Sequence, residues 1–278
     1  MTLEKAVADF RAYCVERLGP DVGPRVAALA RPGFALTTAE PGEQTGGCRF
    51  GGPALLEEGT AWPMCQGFPM SLLAVLDTDA LRPWLGDLLP PDTGLLNFFH
   101  LDADTERAHD EAMRISMRLS YEDTTGGAVV KAAASRAVEV PAPELATVFD
   151  AMPWTATPGL AFPDWGSDPA LDGFDLGEHA RYGWLPNVLE DLFPDWPKRP
   201  AALPDGTDLA FGRPEYPTGS PGFRPEGEDP ESYHHLLQLS GKGDWYIGGD
   251  GGLLHYAIPS GALRTGDFTR AIPTPDIF

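Results

Sequence analysis

Histidines near the carboxyl end of the chain form the one concentration of possible metal ligands in this sequence. His234 and His235 are adjacent, and His255 follows them after Asp250. Adjacent residues of a strand point to opposite faces, so only one of the two neighbouring histidines can join His255. A site of His235, Asp250 and His255 suits zinc or iron. Histidines that simply pack in a sheet are commoner, and we expect no bound metal or cofactor.

Four glycines surround Asp250 in the segment GGDGGLLHYAIP, residues 248–259. A dinucleotide-binding loop requires Gly-x-Gly-x-x-Gly leading into a helix, and a Walker loop requires Gly-Lys-Ser/Thr. Here the glycines lead into a strand-like run, and a carboxylate stands where an anion would bind. An EF-hand would need alternating carboxylates. We therefore predict a tight turn, with positive φ at Gly251 and Gly252 and with Asp250 bonded to backbone amides.

Candidates for nucleophilic or acid–base catalysis are sparse. Cys48 lies beside Arg49, and a neighbouring cation would lower the pKa of the thiol, although an inert, buried cysteine is the alternative. The sequence has no Gly-x-Ser-x-Gly motif. The acidic pairs at 57–58 and 102/104 are typical of solvated loops, so no general acid–base pair is assigned.

Six residues at predicted strand ends and glycine-rich turns are our candidate binding residues, because a rigid scaffold usually presents function at such places. An arginine and two carboxylates among them would either line a ligand site or form an ion pair that fixes loops. The six are Arg49, Trp62, Asp77, Gln238, Trp245 and Asp250.

Hydrophobic periodicity indicates the elements that must position these residues. Residues 1–32 are predicted to form two helices, separated at Gly19-Pro20 and ended by Pro32-Gly33. Continuous apolar runs predict buried strands at 69–77 and 93–104. Strict alternation of apolar and polar residues predicts a half-exposed strand at 113–121.

The segment 141–230 differs from the rest, because it contains sixteen of the 29 prolines and four of the seven tryptophans. We predict an irregular connection there, with a possible helix at 177–193. Its tryptophans would either pin the segment onto a core or line an aromatic ligand groove.

Two pieces of the sequence share a pattern. SLLAVLD followed by DTGLLNFF, and HLLQLSG followed by DGGLLHYAI, each contain a Leu-Leu strand, a gap, Asp-x-Gly-Leu-Leu and an aromatic strand. We predict an internal duplication. The fold class is then α+β, mainly an antiparallel meander, in one domain over 1–278. It comprises N-terminal helices (1–32), a first half (47–140), the irregular segment (141–230) and a closing half (231–278).

The balance of charge is the unusual feature of the composition: 41 acidic residues against 20 basic ones give a formal net charge of −21. Such a chain disfavours nucleic acid and anionic membranes and suits a basic partner protein. We find no stretch of 18 apolar residues and no signal peptide. Three sparse cysteines fit a reducing compartment, so we expect a soluble, cytoplasmic protein.

Several stretches of the chain contain characteristic glycine, proline and aromatic motifs. They are CRFGGPALLEEGTAWP with PMSLLAVLD, TGLLNFF, and YHHLLQL with GDGGLLHYAIPSGALRTGDFTR. Together they resemble the YwqG-like proteins, a bacterial family of unknown function, from about residue 47 to about residue 270. Thr218 stands where the family pattern has glutamine. The resemblance implies an α+β domain and lends no activity.

Two functions remain open from the sequence. The first is an acidic protein-binding module that docks a basic partner, as immunity or inhibitor proteins do. The alternative is a small-ligand or metal-binding enzyme with a cleft between the duplicated halves. The acidic charge and the lack of a catalytic motif favour the first, and the sequence leaves open whether the protein is an enzyme.

Overall fold

The fold was examined in a computed structural model of the chain. The structure describes residues 1–41, 43, 47–103, 109–119, 124–162, 195–204, 206, 208–215, 233–242, 244–245, 247 and 252–277. Within this part of the chain, no helix is both long and apolar enough to cross a lipid bilayer.

Helix α1 confirms the predicted break between two N-terminal helical pieces. It spans Leu3–Ala27 and is kinked at Gly19, where φ is +79°. The Thr2 side chain caps its first turn by accepting a hydrogen bond from the Lys5 amide. The second piece ends at Ala27, before the predicted stop at Pro32-Gly33, because Arg31 already begins a strand.

Helices and strands are mixed, which confirms the α+β class. Besides α1, the helices are α2 (Thr78–Leu85), α3 (Asp110–Ser116) and α4 (Ser260–Thr265), with short 3₁₀ turns at Gly86–Leu88, Thr124–Gly126, Trp196–Lys198 and Phe268–Arg270. The described strands are β1 (Arg31–Thr38), β2 (Arg49–Phe50), β3 (Ala54–Glu57), β4 (Met64–Cys65), β5 (Phe68–Pro69), β6 (Ser71–Asp77), β7 (Leu95–His100), β8 (Gly127–Ala132), β9 (Ala137–Val140), β10 (Met152–Ala161), β11 (Leu209–Phe211), β12 (Tyr233–Leu239), β13 (Gly252–Pro259) and β14 (Ile272–Ile277).

Ten of these strands form one antiparallel sheet in the order β14-β13-β12-β11-β1-β10-β2-β6-β7-β8. The order is symmetric about the β1–β10 pair. Outward from that pair, β11 to β14 follow on one side and β2, β6, β7 and β8 on the other, each series in chain order. The two arms meet along a continuous ladder that runs from Arg31–Ala161 to Thr38–Trp154.

The sheet curls until its two edge strands, β8 and β14, approach each other. Gly127 of β8 lies against Pro273 of β14. One face of the sheet encloses the main core, in which Trp154, Phe98 and Tyr256 are completely buried. A ring pair of Phe98 and Tyr256, with centroids 5.1 Å apart, links the two arms inside this core.

The opposite face of β6 and β7 carries a second core, which is covered by the separate two-stranded sheet of β3 and β9. Buried Asn97 of β7 attaches this small sheet to the large one. Its Oδ1 accepts a hydrogen bond of 2.8 Å from the Leu55 amide, and its Nδ2 donates one of 2.8 Å to the Leu55 carbonyl oxygen. The Asn97 side chain thus makes the two hydrogen bonds with Leu55 that a neighbouring strand would otherwise make.

Two element predictions are wrong. The segment 141–230 is not irregular throughout, because β10 and β11 lie within it and occupy the middle of the sheet. Pro158 is accommodated because β10 pairs with β2 only at Met152 and Pro153, so the amide missing at Pro158 faces an unpaired side. The predicted helix at 177–193 lies outside the described residues.

The predicted strand at 113–121 is instead helix α3 over its first part. His109 caps the helix, because its Nδ1 accepts a hydrogen bond from the Glu111 amide at 3.1 Å. Ala112 and Ile115 are buried on one face, whereas Met117 is 85% exposed. The apolar residues therefore follow the helical period, and capping and first-turn charge decided the local structure.

Candidate functional site

Arg49 lies half-buried on β2, and its side chain points to the loop that follows this strand. Its Nη2 donates a hydrogen bond to the Pro53 carbonyl oxygen. Burial lowers the pKa of Arg49, and the nearby charge of Glu139 opposes that effect. The guanidinium thus stabilises the turn after β2, and its acidic neighbour is Glu139 rather than Asp77.

Asp77 ends β6 and caps α2. Its Oδ1 accepts hydrogen bonds from the amides of Asp79 at 3.1 Å and Ala80 at 3.2 Å. Burial raises the pKa of Asp77, although these two bonds oppose the change. The Asp77 amide in turn donates to Cys48 Sγ at 3.4 Å. Burial raises the pKa of Cys48 to about 11, so the hypothesis of an activated thiolate at Cys48 is wrong.

Both candidate tryptophans pack against phenylalanines. Trp62 donates through Nε1 to the Met70 carbonyl oxygen at 2.8 Å and meets the Phe99 ring edge-on, with centroids 5.1 Å apart. Trp245 is buried in the main core, 6.1 Å from the ring of Phe50. These contacts give each indole a structural role.

Gln238 is completely buried on β12, where its Oε1 accepts a hydrogen bond of 2.8 Å from the Glu215 amide. Asp250 and Gly251 lie outside the described residues. Gly252 begins β13 without a positive φ, so that part of the turn prediction is wrong. A side chain there would strike the carbonyl oxygens of Ile247 at 2.8 Å and Asp276 at 2.9 Å.

The sheet order separates the candidate binding residues. Arg49 lies on β2 and Asp77 on β6, in one arm of the sheet, whereas Gln238 lies on β12, in the other arm. Four strand spacings lie between β2 and β12, which is about 19 Å measured along the sheet. The structure therefore brings Asp77 close to Cys48 but does not gather Arg49, Asp77 and Gln238 at one place.

The two candidate histidines do come together. His235 of β12 and His255 of β13 are buried on the face opposite the main core, with ring centroids 6.2 Å apart. Nδ1 of His235 lies 3.0 Å from the Phe211 carbonyl oxygen. Burial lowers the pKa of His235 to about 4 and that of His255 well below its ordinary value, so both rings are neutral at pH 7. Among the described residues, no group of three metal-ligating side chains is found.

A cavity that the sequence did not reveal lies beside Arg213, and we call it the Arg213 cavity. Its volume is about 460 Å³. Arg213 is 6% exposed and donates through Nε to the Leu29 carbonyl oxygen at 2.9 Å. The side chains and backbone that line the cavity are mainly apolar: Leu160, Ala161, Phe162, Trp196, Leu203, Pro204, Gly206, Leu209, Arg213, Pro214 and Glu215.

The cavity was missed because its walls meet only when β10 and β11 pair with β1. One sequence signal pointed there. Phe-Gly-x-Pro occurs at 50–53 and again at 211–214, directly after two short strands in equivalent places of the two arms.

A comparison with protein families identifies the family of the chain. A family model described as Domain of unknown function (DUF1963) matches residues 48–276. The chain belongs to the DUF1963 family. The resemblance to YwqG-like proteins is thereby confirmed. The DUF1963 match extends from just before β2 into β14, and so includes the histidine pair and the residues around Arg213. Among curated proteins, none matches this chain.

Proposed function

We propose that this DUF1963 protein is an acidic protein-binding module whose partner is a basic protein, in the manner of immunity or inhibitor proteins. The acidic excess carries the proposal. In the described part of the chain, eight basic side chains lie 2.7–3.9 Å from carboxylates and share six acidic residues among them: Lys5, Arg17, Arg82, Arg114, Arg118, Arg136, Lys198 and Lys242. These basic groups are already in ion pairs, so the remaining carboxylates determine the electrostatic potential at the surface, which is negative.

A field of one sign accelerates encounter with a partner of the opposite sign and sets register more than it adds affinity. The proposal therefore predicts fast, salt-sensitive association. Cys14, Cys48 and Cys65 are buried and are not in disulfide bonds, which supports a reducing, cytoplasmic setting for this encounter.

The test begins with native mass spectrometry of protein purified gently from its own host. A co-purifying basic protein is then expressed, and its association rate is measured from about 0.1 to 1 M salt, over which the Debye length falls from about 10 to 3 Å. We expect the rate to fall steeply. A complex whose association ignores salt would contradict the proposal, even if the complex is tight.

We also infer that the two arms of the sheet derive from a duplication. Phe-Gly-x-Pro after β2 and β11, and Asp-x-Gly-Leu-Leu before β7 and β13, support it. So does the use of buried amides: Asn97 and Gln238 each bond to the backbone that follows a Phe-Gly-x-Pro turn. Since the arms meet along a continuous ladder, a ligand cleft at that junction finds no support among the described residues.

A second candidate function is the binding of a small ligand in the Arg213 cavity. Its volume falls within the 300–1,000 Å³ range typical of ligand pockets, and its walls combine apolar side chains with buried Arg213 and with Glu215, which is exposed at the surface. Such walls suit an apolar molecule that ends in a carboxylate, because a guanidinium can bind a carboxylate through two parallel hydrogen bonds.

This candidate is tested by thermal unfolding in the presence of aryl carboxylates of graded size. We expect stabilisation of the wild type and of Arg270→Met, in which an exposed arginine is removed, and none for Arg213→Met or Leu203→Trp. Stabilisation that survives both cavity substitutions would place the ligand elsewhere.

A further inference from the structure

Trp196 lies where two cavities meet. It lines the Arg213 cavity, and it also lines a second cavity of about 470 Å³, which we call the Tyr13 cavity. Among the residues that the structure describes, Trp196 alone lines both cavities. The two cavities are therefore adjacent, and Trp196 is their common wall.

The walls of the Tyr13 cavity come from one face of α1 and from the residues that follow the Trp196–Lys198 turn. The α1 residues in the wall are three to four positions apart, as one face of a helix requires. Tyr13 and Ala201 are buried, at 2% and 3% exposure, whereas Ala12 and Pro200 are exposed. Apolar groups therefore line the cavity from its buried part to its mouth.

Four exposed, charged side chains also line the Tyr13 cavity: Lys5, Asp9, Glu16 and Arg199. Lys5 and Asp9 form an ion pair of 2.8 Å. The central carbon of the Arg199 guanidinium lies 4.1 Å from the centroid of the Tyr13 ring. Long charged side chains cover apolar surface in this way and keep their charged ends in water. An apolar chain can therefore lie beneath them without burying their charges.

Exposed ion pairs help to fix the turn that carries Trp196. Asp195, the residue before this turn, lies 3.6 Å from Arg17 and 3.4 Å from Lys198, and its side chain is 55% exposed. Pairs with this exposure contribute little to stability. The indole is partly buried and packs on Phe10, with ring centroids 4.3 Å apart. An apolar ligand that displaced the indole would replace one apolar contact with another, so the indole can be moved at small cost.

We infer that the Arg213 cavity takes a long-chain carboxylate of the fatty acid class, whose chain displaces the Trp196 indole and enters the Tyr13 cavity. The inference rests on the carboxylate site proposed at Arg213. The guanidinium selects the carboxylate, because it can bind one through two parallel hydrogen bonds. The second cavity selects a long chain, because each methylene group buried in apolar surroundings increases the affinity about fourfold. A short chain would occupy the Arg213 cavity alone.

Isothermal titration calorimetry of the full-length protein compares octanoate with myristate, each below its critical micelle concentration. We expect myristate to bind the wild type more than about tenfold more tightly than octanoate. Ala12→Trp, which fills the Tyr13 cavity from its exposed side, should remove this preference and leave octanoate binding unchanged. Val7→Trp adds the same ring at an exposed position of α1 outside both cavities and should retain the preference. Arg213→Met should weaken both ligands.

Protection of an introduced thiol supplies the second measurement, which remains decisive if Ala12→Trp fails to fold. The native cysteines are buried, so a thiol reagent should modify Ala12→Cys at the introduced residue. We expect myristate to slow this modification and octanoate to leave it unchanged. The matched variant Val7→Cys should be modified at the same rate with and without either ligand.

The outcomes separate the chain path from the carboxylate site. Equal affinity for the two ligands, a preference that persists in Ala12→Trp, or no protection of Ala12→Cys would each overturn the inference. If binding still depended on Arg213, the site proposed there would stand. Absence of binding by both ligands, or binding that Arg213→Met leaves unchanged, would remove the carboxylate site itself and the inference with it.

Discussion

The Tyr256 hydroxyl donates a hydrogen bond of 2.7 Å to the Phe99 carbonyl oxygen, and this bond joins the two ends of the sheet. Tyr256 belongs to β13 and Phe99 to β7, the strands next to the two edges. The bond therefore helps to close the ten-stranded sheet on itself. Burial raises the pKa of Tyr256 well above its ordinary value, so the hydroxyl remains a donor throughout the useful pH range.

Removal of this hydroxyl should lower the stability of the protein without changing its shape. We expect Tyr256→Phe to reduce the free energy of unfolding by about 1 kcal/mol, the usual contribution of one internal hydrogen bond. Urea denaturation measures the loss as a lower midpoint at constant slope. A change of slope instead would mean that the variant has opened the sheet.

Stability should fall as the pH decreases from about 6.5 to 4, because His235 is neutral in the folded state. The pKa of His235 is lowered to about 4, whereas an exposed histidine has a pKa near 6.5. In that window the unfolded chain binds a proton that the folded chain does not, so the folded state loses up to about 3 kcal/mol. Above pH 6.5, His235 does not make the free energy of unfolding depend on pH.

Urea titrations at several pH values, in the presence of a chelator, measure this dependence. His235→Gln should have a shallower slope between pH 6.5 and 4. Arg270→Met, which removes an exposed side chain and leaves every histidine in place, is the control and should retain the wild-type slope. Parallel curves for the wild type and His235→Gln would show that His235 takes up a proton inside the folded protein.

Both buried amides should contribute to stability. Asn97→Leu leaves the amide and the carbonyl of Leu55 without their Asn97 partner, and we expect a loss of about 3 kcal/mol. Gln238→Leu removes the bond to the Glu215 amide, and we expect a loss of at least about 1 kcal/mol. Chemical denaturation of the two variants measures these losses. A variant as stable as the wild type would contradict the contribution of its amide.

The native thiols should be unreactive. Burial raises the pKa of Cys14 to about 12 and that of Cys48 to about 11, and Cys65 is buried as well. Ellman's reagent at pH 8 should therefore detect almost no thiol in the folded protein and three after unfolding. Rapid reaction of one thiol in the native state would contradict the burial of that cysteine.

The sequence predicts those strands that are determined by their own residues, and it fails for strands that depend on pairing with distant parts of the chain. Strands β6, β7, β12 and β13 were predicted because each contains neighbouring leucines with other apolar or aromatic residues beside them. The centre of the sheet was not predicted, because Pro153 and Pro158 suggested a loop at β10. Pro158 fits in the strand because its missing amide faces a side on which β10 is unpaired there.

The same distinction applies to the candidate functional residues. His235 and His255 lie together because they are on neighbouring strands and share one face of the sheet; strand alternation predicts that only one of the two adjacent histidines can do so. Arg49 and Gln238 were grouped on sequence motifs alone, and the strand order separates them. The Arg213 cavity is lined by three separate segments, and the Phe-Gly-x-Pro motif at 211–214 marks only one of them.

The position of β1 has a consequence for how the chain is made. β1 precedes the β2-to-β8 series in the sequence, yet it pairs with β10 and β11. Arg31 also donates a hydrogen bond to the carbonyl oxygen of Tyr233, 202 residues later. A ribosome needs about 10–40 s to add that many residues. During this interval β1, which leaves the exit tunnel before the other strands of the sheet, waits for its neighbours, so the sheet cannot be completed until β12 to β14 have been synthesised.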